Sequence, residues 1–193
     1  MARSAFELAQ RRRKHVSIVH KANVLKLGYG MFIEECQRVA KDFPEIEVDE
    51  FIVDAMMAHV VRAPQRFDVI VTTNMFGDIL SDLTAELSGS LGLGGSVNAG
   101  QQYAMGQAAH GSAPDIAGQD IANPFSLILS ASQLLNWYGQ RSNDMRFVRA
   151  SEAIVTCAAQ AVEHGEATRD VGGQLGTAAT GRKLAQRIAS LTR

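Results

Sequence analysis

Cysteine is scarce: two occur in 193 residues, Cys36 and Cys157. So distant a pair makes neither a metal-binding spacing nor a disulfide framework, which fits a reducing cytosol. Proline is also scarce, with four, and the 17 glycines show no period, so collagen-like and low-complexity classes are excluded. No apolar run approaches the roughly 18 residues of a membrane-spanning helix. There is no excess of either charge, with 19 Lys+Arg against 20 Asp+Glu, so no strong field would draw nucleic acid or an anionic membrane. A G-x-G-x-x-G run is missing, and with it the Rossmann fingerprint. A secretory signal is not expected either: in Met1–Lys14 the basic residues follow the apolar ones, the reverse of the usual order. Phe6, Leu8 and Ala9 predict a surface helix there, with Arg11, Arg12, Arg13 and Lys14 in its last turn, where cations complement the dipole. That run reads as a solvated helix end before it reads as an anion site.

What is present is 46% apolar residues, in a chain long enough to bury roughly 70% of its unfolded surface in one good core or two small ones. Short β-branched runs alternate with helical stretches, which argues for α/β architecture. Strands are predicted at Val16–Val19, Glu45–Phe51 and Phe67–Val71, and helices at Leu27–Asp42, Asp54–Arg62 and Phe76–Leu87. From Ser88 to Gly100 the glycines Gly89, Gly92, Gly94, Gly95 and Gly100 predict a loop or a domain crossing. Beyond it come a short run at Tyr103-Ala104-Met105, a polar loop from Gly106 to Pro124, and helices over Phe125–Tyr138, Asp144–Glu163 and Thr177–Thr192. The division expected is 1–88 and 89–193.

Several side chains could carry chemistry. Asp78 and Asp82 stand one helical turn apart on one face, with Ile79, Leu80, Leu83 and Leu87 expected on the buried side. A hard divalent cation such as Mg²⁺ or Mn²⁺ would turn their mutual repulsion into attraction. Spacing alone favours two solvated aspartates, a common surface arrangement. Lys21 and Asp54 each follow a strand end, where α/β folds gather ligand groups, and Asn23 lies two residues past Lys21. Alone, Lys21 reads as an exposed amine; among aspartates it could be an ion-pair partner or a base. The segment His110-Gly111-Ser112-Ala113-Pro114-Asp115-Ile116-Ala117-Gly118 combines small residues, which let a ligand approach the backbone, with a flat polar ring. It reads equally as a tight loop before the helix that starts after Pro124.

Together these segments resemble the β-decarboxylating dehydrogenases: the isopropylmalate, isocitrate, homoisocitrate and tartrate enzymes. The matching stretches are Val19-His20-Lys21-Ala22-Asn23-Val24-Leu25-Lys26, Val53-Asp54-Ala55-Met56, Phe67 to Asp82, Gly89-Ser90-Leu91-Gly92, and His110 to Pro124. The resemblance implies the family's layered α/β fold with a mixed sheet, not a Rossmann fold, in which 1–88 holds substrate, metal and the dimer contact and 89–193 holds NAD. It implies that Asp78 and Asp82 bind Mg²⁺ or Mn²⁺, with Asp54 supplied by the other subunit of a homodimer. Lys21 would be the general base for the substrate hydroxyl, and Asn23 would touch substrate near the nicotinamide. The cofactor would meet His110, Gly111, Ser112, Ala113, Asp115, Ile116 and Asn123, with His110 and Asn123 at the adenine. Asp115 would accept from the ribose 2′-hydroxyl and repel a 2′-phosphate, favouring NAD over NADP. The reaction implied is oxidative decarboxylation of a 2-hydroxy dicarboxylic acid in the cytoplasm.

The chain departs from the family's pattern in places. It has Gln107-Ala108-Ala109 before His110-Gly111, where the family commonly reads Glu-Pro-x, and Gly95 where proline is usual. The resemblance covers only the family's C-terminal part, without its substrate-clamping arginines, and none of Tyr29, Tyr103 and Tyr138 stands where its catalytic tyrosine belongs. The competing expectations are a non-catalytic subunit or assembly module that keeps metal or nucleotide binding, and a plain structural α/β domain.

Overall fold

A computed structural model describes residues 1–191. The chain forms two compact units, one covering Met1–Thr84 and one starting at Ala85.

The first unit is a parallel three-stranded sheet in the order β2-β1-β3, from β1 (His15–His20), β2 (Glu47–Ile52) and β3 (Val69–Val71). His15 stands opposite Glu47 and His20 opposite Ile52, while Val16 and Ile18 pair with Val69 and Val71. Strand β1 is central because nearly every residue in it is buried, as a strand covered on both faces must be. The period of two divides its side chains. Val16 and Ile18 join Phe6, Ala9, Cys36, Val39, Phe43, Val69 and Val71 on one face. Val19 joins Met56, Val60 and Leu80 on the other. The first layer comes from α1 (Ala2–Gln10) and α2 (Lys26–Ala40), the second from α3 (Val53–Arg62) and α4 (Asn74–Leu87). Phe6 stacks on Phe43 with ring centroids 5.4 Å apart.

Two expectations for this unit need correcting. The basic run does not occupy the last turn of the first helix, which ends at Gln10. Its arginines are spent elsewhere: Arg12 Nε reaches Asp68 at 2.7 Å, the Arg13 backbone N–H reaches the same carboxylate at 2.8 Å, and the Arg13 guanidinium donates to the carbonyls of Gln65 and Phe67. Nor are Ile79 and Leu87 buried. Leu80 is the buried residue of α4, with Leu83 partly buried beside it, while Ile79 and Leu87 are exposed, because a helix packed on one sheet hides only the stripe facing it.

The second unit carries an antiparallel hairpin, β4 (Gly95–Ala99) with β5 (Ala104–Ala108), and the helices α5 (Phe125–Ser142), α6 (Met145–Glu163) and α7 (Thr177–Leu191). Its core is Phe125, Cys157, Ala158, Ala161, Ala167 and Leu184. The hairpin replaces much of the loop expected over Ser88–Gly100 and the start of the one expected after Gly106; a short 3₁₀ turn at Leu91–Leu93 precedes it. The glycines mark close packing here. A Cβ on Gly106 would sit 2.9 Å from the Ser130 carbonyl oxygen on α5. Buried hydroxyls of α5 complete the contact. Ser130 Oγ accepts from the Ser96 N–H at 3.0 Å and lies 2.6 Å from the Gln107 carbonyl. Ser126 Oγ accepts from the Ala109 N–H at 3.0 Å. The end expected for the last helix, Thr192, lies outside the described residues. Among the described residues no helix is long and apolar enough to cross a membrane.

Candidate functional site

Two sets of residues gather chemistry, one in each unit. In the first, β1 ends at His20 and the chain turns at once: the N–H groups of Val24 and Leu25 both donate to the Lys21 carbonyl at 3.0 Å. Lys21 Nζ forms an ion pair with Asp54, in the first turn of α3. That hydrogen bond, with one from the Asp54 backbone N–H, holds the Asp54 carboxyl below its ordinary range. His20 is buried; its Nδ1 accepts from the Ala22 N–H at 3.0 Å and its Nε2 lies 3.0 Å from Glu50. Thr72 Oγ1 donates to the Val19 carbonyl at 2.8 Å, and Tyr29 stacks on Phe76 with its hydroxyl 3.4 Å from Thr73. The carboxyl end of the sheet is thus fixed from several sides. Asn23 lies exposed on the turn after Lys21.

Asp78 and Asp82 are exposed on α4, and among the described residues neither carboxylate has a hydrogen-bond or ion-pair partner. Two hard oxygen donors one turn apart suit Mg²⁺ or Mn²⁺. The pair alone does not complete a site: no three His, Cys, Asp or Glu among the described residues converge to hold a metal ion, and Asp54 is engaged with Lys21 of its own chain.

In the second unit, a cleft of about 750 Å³ is lined by Leu91, Gly92, His110, Gly111, Ser112, Ala113, Ile116, Asn123, Asp170 and Thr177, among others. The fold therefore brings together six of the residues singled out in the sequence: His110, Gly111, Ser112, Ala113, Ile116 and Asn123. Asp115 is not part of the lining; it stands exposed on the 3₁₀ turn Pro114–Ile116, and its carboxylate has no partner among the described residues. Ala113 takes a left-handed φ of 41° to enter that turn, a backbone state few non-glycine residues occupy.

Asp170 escaped the sequence reading, and it is the anchor of the cleft. Its Oδ2 accepts from Ser90 Oγ at 2.5 Å and Asn123 Nδ2 at 2.8 Å, and its Oδ1 from Thr168 Oγ1 at 2.6 Å. Burial pushes its pKa up, but the hydroxyls of Ser90 and Thr168 and the Asn123 amide outweigh that and hold it below the ordinary value. Asn123 Oδ1 accepts from the Phe125 N–H at 2.9 Å, so the same amide fastens the start of α5. Gly92 must be glycine, because a Cβ there would meet the Asn123 side chain at 2.6 Å. Asp120 is a second missed residue of the cleft. It caps α7 from a distance, accepting from Ala178 N–H through Oδ1 at 2.9 Å and from Thr177 N–H through its carbonyl at 3.0 Å. The available signal was the run Thr168-Arg169-Asp170-Val171-Gly172-Gly173, an acidic residue between a helix end and two glycines.

A family model for isocitrate/isopropylmalate dehydrogenase matches residues 1–188. The 3-isopropylmalate dehydrogenase of Archaeoglobus fulgidus is 45% identical over 192 residues, covering 99% of this chain and 56% of its own length. The isocitrate/homoisocitrate dehydrogenase of Thermus thermophilus is 44% identical over 99% of this chain and 55% of its own. Among solved structures, isocitrate dehydrogenase from Methylococcus capsulatus superposes with a TM-score of 0.87 at 42% identity, over 97% of this chain and 54% of that one. The fold is thus the α/β fold of these dehydrogenases. The chain belongs to the isocitrate/isopropylmalate dehydrogenase family. It spans about half the length of the curated relatives it matches.

Proposed function

We propose that this chain supplies the metal, proton-relay and NAD sites of a dehydrogenase that oxidatively decarboxylates a 2-hydroxy dicarboxylic acid of the isopropylmalate, isocitrate or tartrate type. The observation that carries the proposal is the pairing on one unit of Lys21 with Asp54 and of two unpartnered carboxylates, Asp78 and Asp82, on the neighbouring helix. Asp78 and Asp82, joined by Asp54 of a second copy, would hold Mg²⁺ or Mn²⁺, whose positive charge would acidify the substrate hydroxyl and ease the loss of CO₂. A bound NAD, held by His110, Gly111, Ser112, Ala113, Ile116 and Asn123, would supply the hydride acceptor. Lys21 takes the hydroxyl proton and Asn23 contacts the substrate. Asp54 keeps the Lys21 amine in one place.

The single chain gathers two ligands where a cation needs more, which supports a homodimer. A second copy would bring its own Lys21–Asp54 pair to Asp78 and Asp82. The apolar side chains Val24, Leu25, Leu27, Met31, Met75 and Ile79, all well exposed on the first unit, offer surface for such a contact. The cleft of the second unit fits an adenosine: His110 gives a ring to stack on and the glycines Gly92 and Gly111 leave its walls open. The free carboxylate of Asp115, next to the lining residue Ile116, would accept from a ribose hydroxyl and repel a 2′-phosphate, which supports NAD over NADP. The unit from Met1 is then the substrate, metal and dimer portion, and the unit from Ala85 the NAD portion.

Following NADH absorbance with isopropylmalate, isocitrate, homoisocitrate and tartrate in the presence of Mn²⁺ tests the reading. Turnover of at least one acid, lost in Lys21→Met, is expected; silence on all four removes it. One observation favours a second reading, a non-catalytic subunit: Gln107, exposed on β5, stands where a carboxylate is usual in the resemblance. That reading expects NAD or Mn²⁺ binding without turnover.

A further inference from the structure

His20 and Glu50 carry no role in the chemistry set out above, yet His20 immediately precedes Lys21 and pairs with Glu50. His20 is the last residue of β1 and is 6% exposed. A buried imidazole needs partners for both nitrogens, and here both are found. The Ala22 backbone N–H points at Nδ1 from 3.0 Å. A backbone N–H can only donate, so Nδ1 has no proton, and in the neutral ring the proton sits on Nε2. That N–H faces Glu50 Oε1 at 3.0 Å. Glu50 belongs to β2, and its other oxygen lies 3.4 Å from Gln37 Nε2 of α2. An imidazolium would set a second proton against the Ala22 N–H.

We propose that His20, as the neutral Nε2–H tautomer oriented by Glu50, is a positioning residue that fixes the Lys21–Ala22 turn and so the direction in which Lys21 presents its amine. Among the described residues the turn has no other side-chain support on that side: the Lys21 carbonyl is held by Val24 and Leu25 N–H, and the one side-chain acceptor on the Ala22 N–H is His20. Strand β2 serves both ends of the arrangement, because Glu50 lies within it and Asp54, the Lys21 partner, opens the helix that follows. The meaning of this positioning for catalysis rests on Lys21 being the proton relay; the positioning itself does not.

The test uses the ¹⁵N-labelled full chain at neutral pH. Long-range ¹H–¹⁵N spectra are expected to show His20 Nδ1 unprotonated and Nε2 bearing the proton; an Nδ1–H tautomer or an imidazolium overturns the proposal, and this arm needs no variant to fold. Two substitutions separate the two nitrogens. His20→Asn keeps an oxygen near the place of Nδ1, whereas His20→Gln keeps a polar group near Nε2 and removes the acceptor for Ala22. Exchange of the Ala22 amide is expected to quicken about tenfold in His20→Gln, the worth of one hydrogen bond, with the Lys21 side-chain and Asp54 amide resonances shifted. His20→Asn is expected to restore all three. Lys21 and Asp54 signals that stay put in His20→Gln while Ala22 loses protection would show His20 to be merely structural and overturn the proposal. Absence of turnover in the parent chain bears on the dehydrogenase reading alone, since none of these signals depends on substrate.

Discussion

Burial of the Asp68 carboxyl would by itself push its pKa up, but the Arg12 guanidinium and the Arg13 backbone N–H prevail and hold it below the ordinary value. A carboxyl with a depressed folded pKa contributes stability above its unfolded value, about 3.9, and loses it as pH falls through the folded value. Asp68→Asn is therefore expected to cost about 1–2 kcal/mol in urea unfolding at pH 7, and the gap from the parent chain should close below about pH 4. Asp78 gives the opposite case, a carboxylate without a partner. Asp78→Asn should leave stability within about 0.5 kcal/mol yet weaken Mn²⁺ binding, read by calorimetry, on the order of tenfold. The i, i+4 spacing of Asp78 and Asp82 was legible in the sequence, but it is shared with countless solvated helices, and what sets it apart is the resemblance of the Phe67–Asp82 stretch to the family. The Lys21–Asp54 pair was legible as two strand ends, not as a contact, because no local rule spans 33 residues. Asp170 was missed for the same reason, its tie to Asn123 crossing 47 positions.

Element by element, the first unit was legible where burial is periodic, and β1, β2, α2, α3 and α4 fall within a few residues of expectation. The second unit was less so. Its glycines gave the signal of a loop, whereas in the fold they let β4 and β5 lie against α5. The serines of that helix supply hydrogen bonds that a neighbouring strand would otherwise give. Ser130→Ala would strand the Ser96 N–H, with an expected cost of about 1–3 kcal/mol and faster exchange confined to β4 and β5 by mass spectrometry. Asp120 does comparable work at the start of α7. Asp120→Ala should lose about 1 kcal/mol of helix-cap stability and, because the residue also lines the cleft, weaken NAD binding in a fluorescence titration.

For the molecule as a whole, two cores in one chain mean that the two ligands proposed above would stabilise different places. On the proposed function, NAD at about a hundred times its dissociation constant is expected to add about 2.7 kcal/mol to whatever opens together with the cleft, and Mn²⁺ should protect α4. The division of the cysteines turns this into a measurement. Cys36 is sealed in the first core and Cys157 in the second, neither with any exposed surface, and burial pushes the Cys36 thiol up to about 11. An alkylating reagent therefore waits for the surrounding side chains to part. The chain carries two clocks, one per core, that a single digest can read: NAD is expected to slow the modification of Cys157 and leave the rate at Cys36 as it was.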